Sequence, residues 1–360
     1  MSLTAIEFST SATLLGTFGL LMAALFAWLM LTGILARRRA AASVAAMPPI
    51  RDALIAYLAG SNDLSPLRGF SQTNRKELAS AILALQGTVG GGALDRLCDV
   101  AVSLGLVQEW IREAHTREPA PRRAAYARLA FVWVYEPCRR LGGDLLVQAL
   151  DDADSDVRLL AARALTQAGV AREIEHVFEL AISRNLLIRI LLTEDLRRHA
   201  VALCERVVPV ALRSEESARV LATLDILVAW ERAIPFENMR ELLEHRDKGI
   251  RIQALRLAPL VRLAPENRAA IVRSLADPDI EVSSTAALTA ARLRIVEALP
   301  SLARLLRVAP AELARTAATA LAEMPPRGWE TLEELSANSS PVTAAAAREA
   351  LAVAREKAGT

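Results

Sequence analysis

The sequence predicts an all-α protein, a solenoid of stacked helix pairs preceded by one transmembrane helix, and three observations carry that prediction. Hydrophobic residues make up 53% of the chain but aromatics only 4%. Alanine and leucine, the best helix formers, supply most of the excess, and the β-branched alternation that marks strands is nearly absent. A helical segment opened by an acidic turn, clearest in Asp151–Leu165, returns about every 31 residues to the C-terminus. Between Ser11 and Ala36 there is no charged side chain. A chain of 360 residues holds either two average domains or one long solenoid, and a fixed period selects the solenoid.

Residues 1–10 form a short N-terminus without Lys or Arg. Residues 11–36, as an α-helix rising about 1.5 Å per residue, reach roughly 39 Å, enough to cross a bilayer core of about 30 Å with some tilt. A cleaved signal peptide needs positive residues before its apolar run, and here they follow it as Arg37, Arg38 and Arg39. The reading is therefore an uncleaved anchor. Positive charge marks the cytoplasmic flank, so the N-terminus is expected outside and everything after Arg39 in the cytoplasm. The triplet sets topology, with contact to anionic head groups as a second role. Gly19, Ala23 and Ala27 repeat at four-residue spacing, either as ordinary membrane composition or as a face for another transmembrane helix. Residues 37–49 read as a connector that Pro48 and Pro49 bring to an end.

Residues 50–140 are divergent helical repeats. Here Asp52–Ala59 reads as a first helix, Asn74–Ile82 as a second and Gly87–Gly92 as a loop. One long helix is expected from Leu94 to Thr116, broken before Pro119 and Pro121. Residues 141–360 are regular. Aligning each second helix on the position of Val157 gives Val157, Ile188, Ala218, Ile250, Val282, Leu313 and Val342, spaced 31, 30, 32, 32, 31 and 29 residues. Four residues after each stands Ala161, Leu192, Ala222, Ala254, Ala286, Ala317 or Ala346, mostly small enough for paired helices to approach closely.

Asp152-Ala153-Asp154-Ser155-Asp156-Val157-Arg158 and Asp277-Pro278-Asp279-Ile280-Glu281-Val282 resemble the acidic turn of bacterial HEAT repeats, and Arg246–Arg251 is a weaker copy. The resemblance covers roughly residues 140–360. It implies a right-handed α-solenoid, here of about eight to nine repeats, and a scaffold, adaptor or regulator rather than one defined activity.

In such a turn Asp and Ser accept bonds from free N–H groups at the helix start, where negative charge is also favoured. Arg158, Arg189, Arg219 and Arg251 each follow the aligned position. They read first as a ladder bonding to the acidic turns of adjacent repeats, and alternatively as a groove for an acidic partner. Phe131, Trp133 and Tyr135, the densest aromatic run, read first as packing and alternatively as exposed partner anchors. Trp230 and Trp329 read as fillers within or between repeats.

Other functions are disfavoured. The net charge of +2 becomes +3 after Glu7 is set aside, and the Arg37–Arg39 triplet accounts for all of it. A formally neutral solenoid argues against binding nucleic acid through its phosphates. Cys98, Cys138 and Cys204 are far apart without Cys-x-x-Cys, and read as buried reduced thiols. His115, His176, His199 and His245 lack metal-ligand spacing, Gly90–Gly92 lacks the Lys-Ser/Thr of a phosphate loop, and no nucleophile elbow occurs. No metal, cofactor or small-molecule substrate is expected, and no catalysis. The expected function is a docking subunit at the bacterial inner membrane, holding a cytosolic or integral membrane protein, for example in polysaccharide synthesis or export. The alternatives are a nucleic-acid-binding HEAT-like protein and a HEAT-like lyase for bilin chromophores.

Overall fold

The computed structural model describes residues 3–85, 88–183, 186–231 and 239–359, with side chains of the first helix described from Leu25 onward except at positions 27, 33, 35, 36, 39 and 40. Among the described residues every regular element is helical. The chain divides into two compact units, Met1–Gly143 and Asp144–Thr360.

The first unit opens with α1, Leu3–Leu58, a single helix that contains both Pro48 and Pro49. The connector expected to end there does not end. Each proline removes an intrahelical donor, but Ile50 and Leu54 just beyond are fully buried, where α1 packs on α2 (Ser65–Thr73), α3 (Arg75–Ala84) and α4 (Gly92–Ser103). That docking holds the helix on course past the two missing bonds. Among the described residues no helix is long and apolar enough to cross a membrane. Of the segment 11–36 read as a span, the side chains are described only in part. The part that is described exposes Phe26, Trp28, Leu29, Met30 and Leu31.

The long helix expected over Leu94–Thr116 is two helices, α4 and α5 (Leu106–Ala114), because Gly105 turns the chain with a left-handed φ of +70°. Helix α6 (Pro119–Val132) starts on a proline at its first position, and α7 (Glu136–Gly142) completes the unit.

The second unit is a succession of helix pairs. First helices are α8 (Leu145–Gln148), α10 (Ala171–Ser183), α12 (Ala200–Arg206) with α13 (Val208–Leu212), α15 (Arg240–Leu243), α17 (Pro265–Ser274), α19 (Leu299–Val308) and α21 (Arg327–Asn338). Second helices are α9 (Ser155–Ala168), α11 (Leu186–Arg197), α14 (Ser217–Ala229), α16 (Lys248–Leu257), α18 (Ile280–Arg292), α20 (Ala311–Ala322) and α22 (Pro341–Gly359). Each second helix packs on the next, from α9 through to α22, which is the stacking of helix pairs that the period implied.

Their first residues are spaced 31, 31, 31, 32, 31 and 30, more even than the spacing read from sequence. Two assigned positions are therefore wrong by one. Ala218 is exposed, and its place is taken by Arg219; Val342 is 80% exposed, while Thr343, Ala347 and Leu351 point inward. The cause in α14 is that Ala222 and Thr223 are both buried, so neither register looks worse on apolarity. In α22 the Ser340 hydroxyl caps the Thr343 N–H and Pro341 opens the helix, which turns valine outward in favour of threonine. The small positions hold better: Ala161, Leu192, Ala222, Ala254, Ala286 and Ala317 are all fully buried, and only Ala346 is half-buried, with Ala347 in its place.

Hydrogen bonds also tie successive repeats. His199 Nε2 meets the Thr166 carbonyl, Trp230 Nε1 donates to that of Thr193, and Thr289 Oγ1 to that of Leu255, at 2.9, 2.9 and 3.0 Å. These contacts satisfy polar groups that close stacking would otherwise strand from water.

Candidate interaction surface

The acidic turn is a hydrogen-bonding unit. Asp154, Asp247 and Asp279 cap α9, α16 and α18, accepting the N–H of Asp156, Gly249 and Glu281 at 2.9, 2.8 and 3.0 Å. Two residues before each cap, a second side chain accepts the cap's own N–H: Asp152 in one turn, Asp277 in another, and in a third His245, through Nδ1. Ser214 does the same for Glu216 before α14, which independently fixes that helix one residue later than the sequence reading. His245 is thereby occupied as a turn acceptor, and His199 by a carbonyl.

The arginines divide into two kinds. Arg158 donates to the carbonyls of Asp152 and Ala153, and Arg251 to those of His245 and Arg246. Both reach back five and six residues to close their own turn. In the first unit Arg139 makes the same reach to Trp133 and Val134, a repeat feature the sequence reading missed because no acidic turn marks it. Arg251 also pairs with Asp277 of the following turn at 2.9 Å, both side chains nearly buried. Arg189 and Arg219 do different work. Arg189 pairs with Asp225 at 2.6 Å, and Asp225 also accepts from Gln253 at 2.9 Å, so one carboxylate links α11, α14 and α16. Arg219, at the aligned position itself, pairs with Glu179 on α10 at 2.6 Å. All four guanidinium groups are engaged, so the four do not form an open cationic groove.

Lys248 and Asp279 join neighbouring turns at 3.0 Å. The Lys248 bond holds the Asp279 carboxyl below its ordinary range, and the same bond raises Lys248. Lys248 is exposed and Asp279 half-buried, so water still screens the pair and its weight in stability is small.

Phe131 and Trp133 are buried, and the Trp133 ring lies directly over Gly142. They are core of the first unit and not exposed anchors. Tyr135 is half-buried and donates its hydroxyl to Asp99, a bond that pushes its pKa up to about 12. Arg37 and Arg38 are exposed; Gly19, Ala23, Ala27 and Arg39 lie on α1 at positions whose side-chain surroundings are not described.

The three cysteines are free and buried, and burial pushes each thiol up to about 12. They hold their protons at neutral pH and are poor nucleophiles. Among the described residues no three His, Cys, Asp or Glu side chains gather as a metal site would require. An open groove of about 460 Å³ runs between α20 and α22, floored by Ala318, Ala322, Ala346 and Ala350, with Arg315 and Glu349 on its walls. Thr319, Glu323 and Lys357 also line it.

Beyond α1, three exposed aliphatic side chains stand close together on α11. Leu186, Leu187 and Ile190 are 60%, 63% and 61% exposed. Residues 186, 187 and 190 share one helix face, and half-buried Leu191 extends it. At the same places α9 has Ser155 and Asp156, α14 has Ser217 and Ala218, and α16 has Lys248 and Gly249. The signal was present in the sequence as two leucines where the motif calls for polar residues, but aligning on buried positions passed over it.

No protein family and no curated protein matches this chain. Among solved structures it is similar to an engineered protein from a structural genomics consortium, at 18% identity over 85% of this chain and 94% of that one, with a TM-score of 0.34. It is also similar to a chain of the Kap95:Nup1 complex, at 11% identity and a TM-score of 0.45. That match covers 86% of this chain, which spans about half (52%) of the other's length.

Proposed function

We propose that this chain is a docking scaffold whose helix-pair array presents surface to a protein partner and performs no chemistry of its own. The observation that carries the reading is the unbroken packing of second helices from α9 to α22. Such an array offers a long surface of side chains on a rigid frame, and its recurrent charged residues are consumed in holding turns and repeats together. We further propose that residues 11–36 anchor the scaffold in a bacterial inner membrane, N-terminus outside and array in the cytoplasm. Support comes from the uncharged run, from the arginines that follow it, and from the apolar side chains that α1 exposes. Anchoring raises the effective concentration of a partner at the bilayer, so a modest interface suffices. An accessory role in a membrane assembly, such as polysaccharide synthesis or export, fits this arrangement.

Crosslinking in intact cells, followed by purification from membranes, tests the proposal. A specific protein recovered in stoichiometric amount and crosslinked to the helix array is the expected result. Recovery of none argues against docking, and recovery of the chain in the soluble fraction argues against the anchor.

A further inference from the structure

We propose that the start of α11 is the docking site for a basic amphipathic helix of the partner protein. The inference rests on the scaffold reading above and gives it a location and a ligand chemistry. Leu186, Leu187 and Ile190 present one and a half turns of aliphatic surface, each about three-fifths exposed. Partner helices bury leucines at such i, i+3, i+4 spacing. Exposed aliphatic clusters of this kind mark interaction sites in folded proteins.

The neighbouring helix starts define the charge of the occupant. Helix α11 packs between α9 and α14; Asp156 at the start of α9 is engaged in a contact of its own, whereas Glu215 and Glu216 stand exposed just before α14. Among the described residues Glu215 and Glu216 make no ion pair, and Arg158 and Arg189 are turned to their own turn and to Asp225. Arg213, exposed two residues before Glu215, is an opposing charge; Arg184 lies outside the described residues. An apolar strip bordered on its α14 side by two exposed carboxylates matches a helix whose leucine face is bordered by Lys or Arg. The same carboxylates oppose an anionic bilayer surface, so a protein segment fits this face better than lipid does.

The test uses the full chain in nanodiscs of zwitterionic lipid, with empty discs as the blank. The probe is a labelled helical peptide of about eighteen residues, five turns long, with a leucine face bordered by lysines. A second peptide carries glutamates in place of the lysines. Fluorescence anisotropy is expected to show the lysine peptide binding and the glutamate peptide at least about tenfold weaker, a difference of about 1.4 kcal/mol. The triple variant Leu186→Ser, Leu187→Ser, Ile190→Ser should lose the lysine peptide by about tenfold or more while melting as the parent does, since all three side chains are exposed. Glu215→Lys with Glu216→Lys should shift preference toward the glutamate peptide. Equal binding of both peptides, or unchanged binding by the triple variant, overturns the site. So does anionic-vesicle binding by the parent that the triple variant loses, which would make this face a membrane contact. If the triple variant still crosslinks its cellular partner in stoichiometric amount, the scaffold stands and this site falls.

Discussion

Replacing Gly142 with alanine separates a structural Trp133 from a binding one. A Cβ built at Gly142 would lie 2.2 Å from Cη2 and 2.5 Å from Cζ3 of the Trp133 ring. Ordinary contact begins near 3.4 Å, so the ring must withdraw by about 1.2 Å. It has nowhere to go, since Trp133 is 1% exposed. Forcing an extra carbon into a closed core typically costs about 1–3 kcal/mol. The helix-propensity gain of Gly→Ala, at most about 1 kcal/mol in a helix interior, is smaller at this helix end. The expected net loss is about 1–2 kcal/mol, read as a lower denaturation midpoint and as faster amide exchange in α6 and α7. In a Trp133→Leu background the same change should cost far less, because the clashing ring atoms are gone. A Gly142→Ala protein as stable as the parent, or an equal cost in both backgrounds, refutes the placement of Trp133.

Three further outcomes follow from the register, the thiols and the flank charges. Ala254→Arg and Ala286→Arg should each destabilise by more than about 3 kcal/mol, because a charge would be driven between stacked helices. Ala218→Arg should be nearly neutral in the same melting series; equal losses at all three sites would reject the register. Cys98, Cys138 and Cys204 should resist a thiol reagent in the native protein at pH 8 and react only on unfolding. Their folded pKa values near 12 lie above the unfolded value of 9.0. The stability this contributes is therefore fully present below about pH 9 and lost as pH rises toward 12, and the alkaline limb of a pH–melting profile should show that fall. Neutral residues in place of Arg37, Arg38 and Arg39 should reduce the fraction of chains whose array a cytosolic protease reaches; unchanged access would mean that other signals set the orientation.

The period was legible from sequence because it is a one-dimensional property. Stacking requires the same small or aliphatic side chain at each crossing, so Ala161, Ala254, Ala286 and Ala317 recur and declare the array. Capping was legible for a related reason: Asp154, Asp247 and Asp279 act on N–H groups two residues away, within reach of any local reading. Where two adjacent residues are both small or apolar, as at Ala222 and Thr223, sequence carries no preference, and the starts of α14 and α22 were placed one residue early. The continuous α1 was hidden because local chemistry at Pro48 and Pro49 favours a break, and only the burial of Ile50 and Leu54 outweighs it.

By itself, then, the sequence determined an all-helical array of about 31 residues per pair, since period and capping are written in neighbouring residues. Only the tertiary structure decided what the side chains of that array are for. Arg158, Arg189, Arg219 and Arg251 look alike along the chain, yet their partners lie anywhere from 5 to 40 residues away. Packing over those separations turns them into braces, closes Trp133 into the core, and leaves Leu186, Leu187 and Ile190 exposed. Exposure is a property of what neighbouring helices cover, and no local pattern contains it.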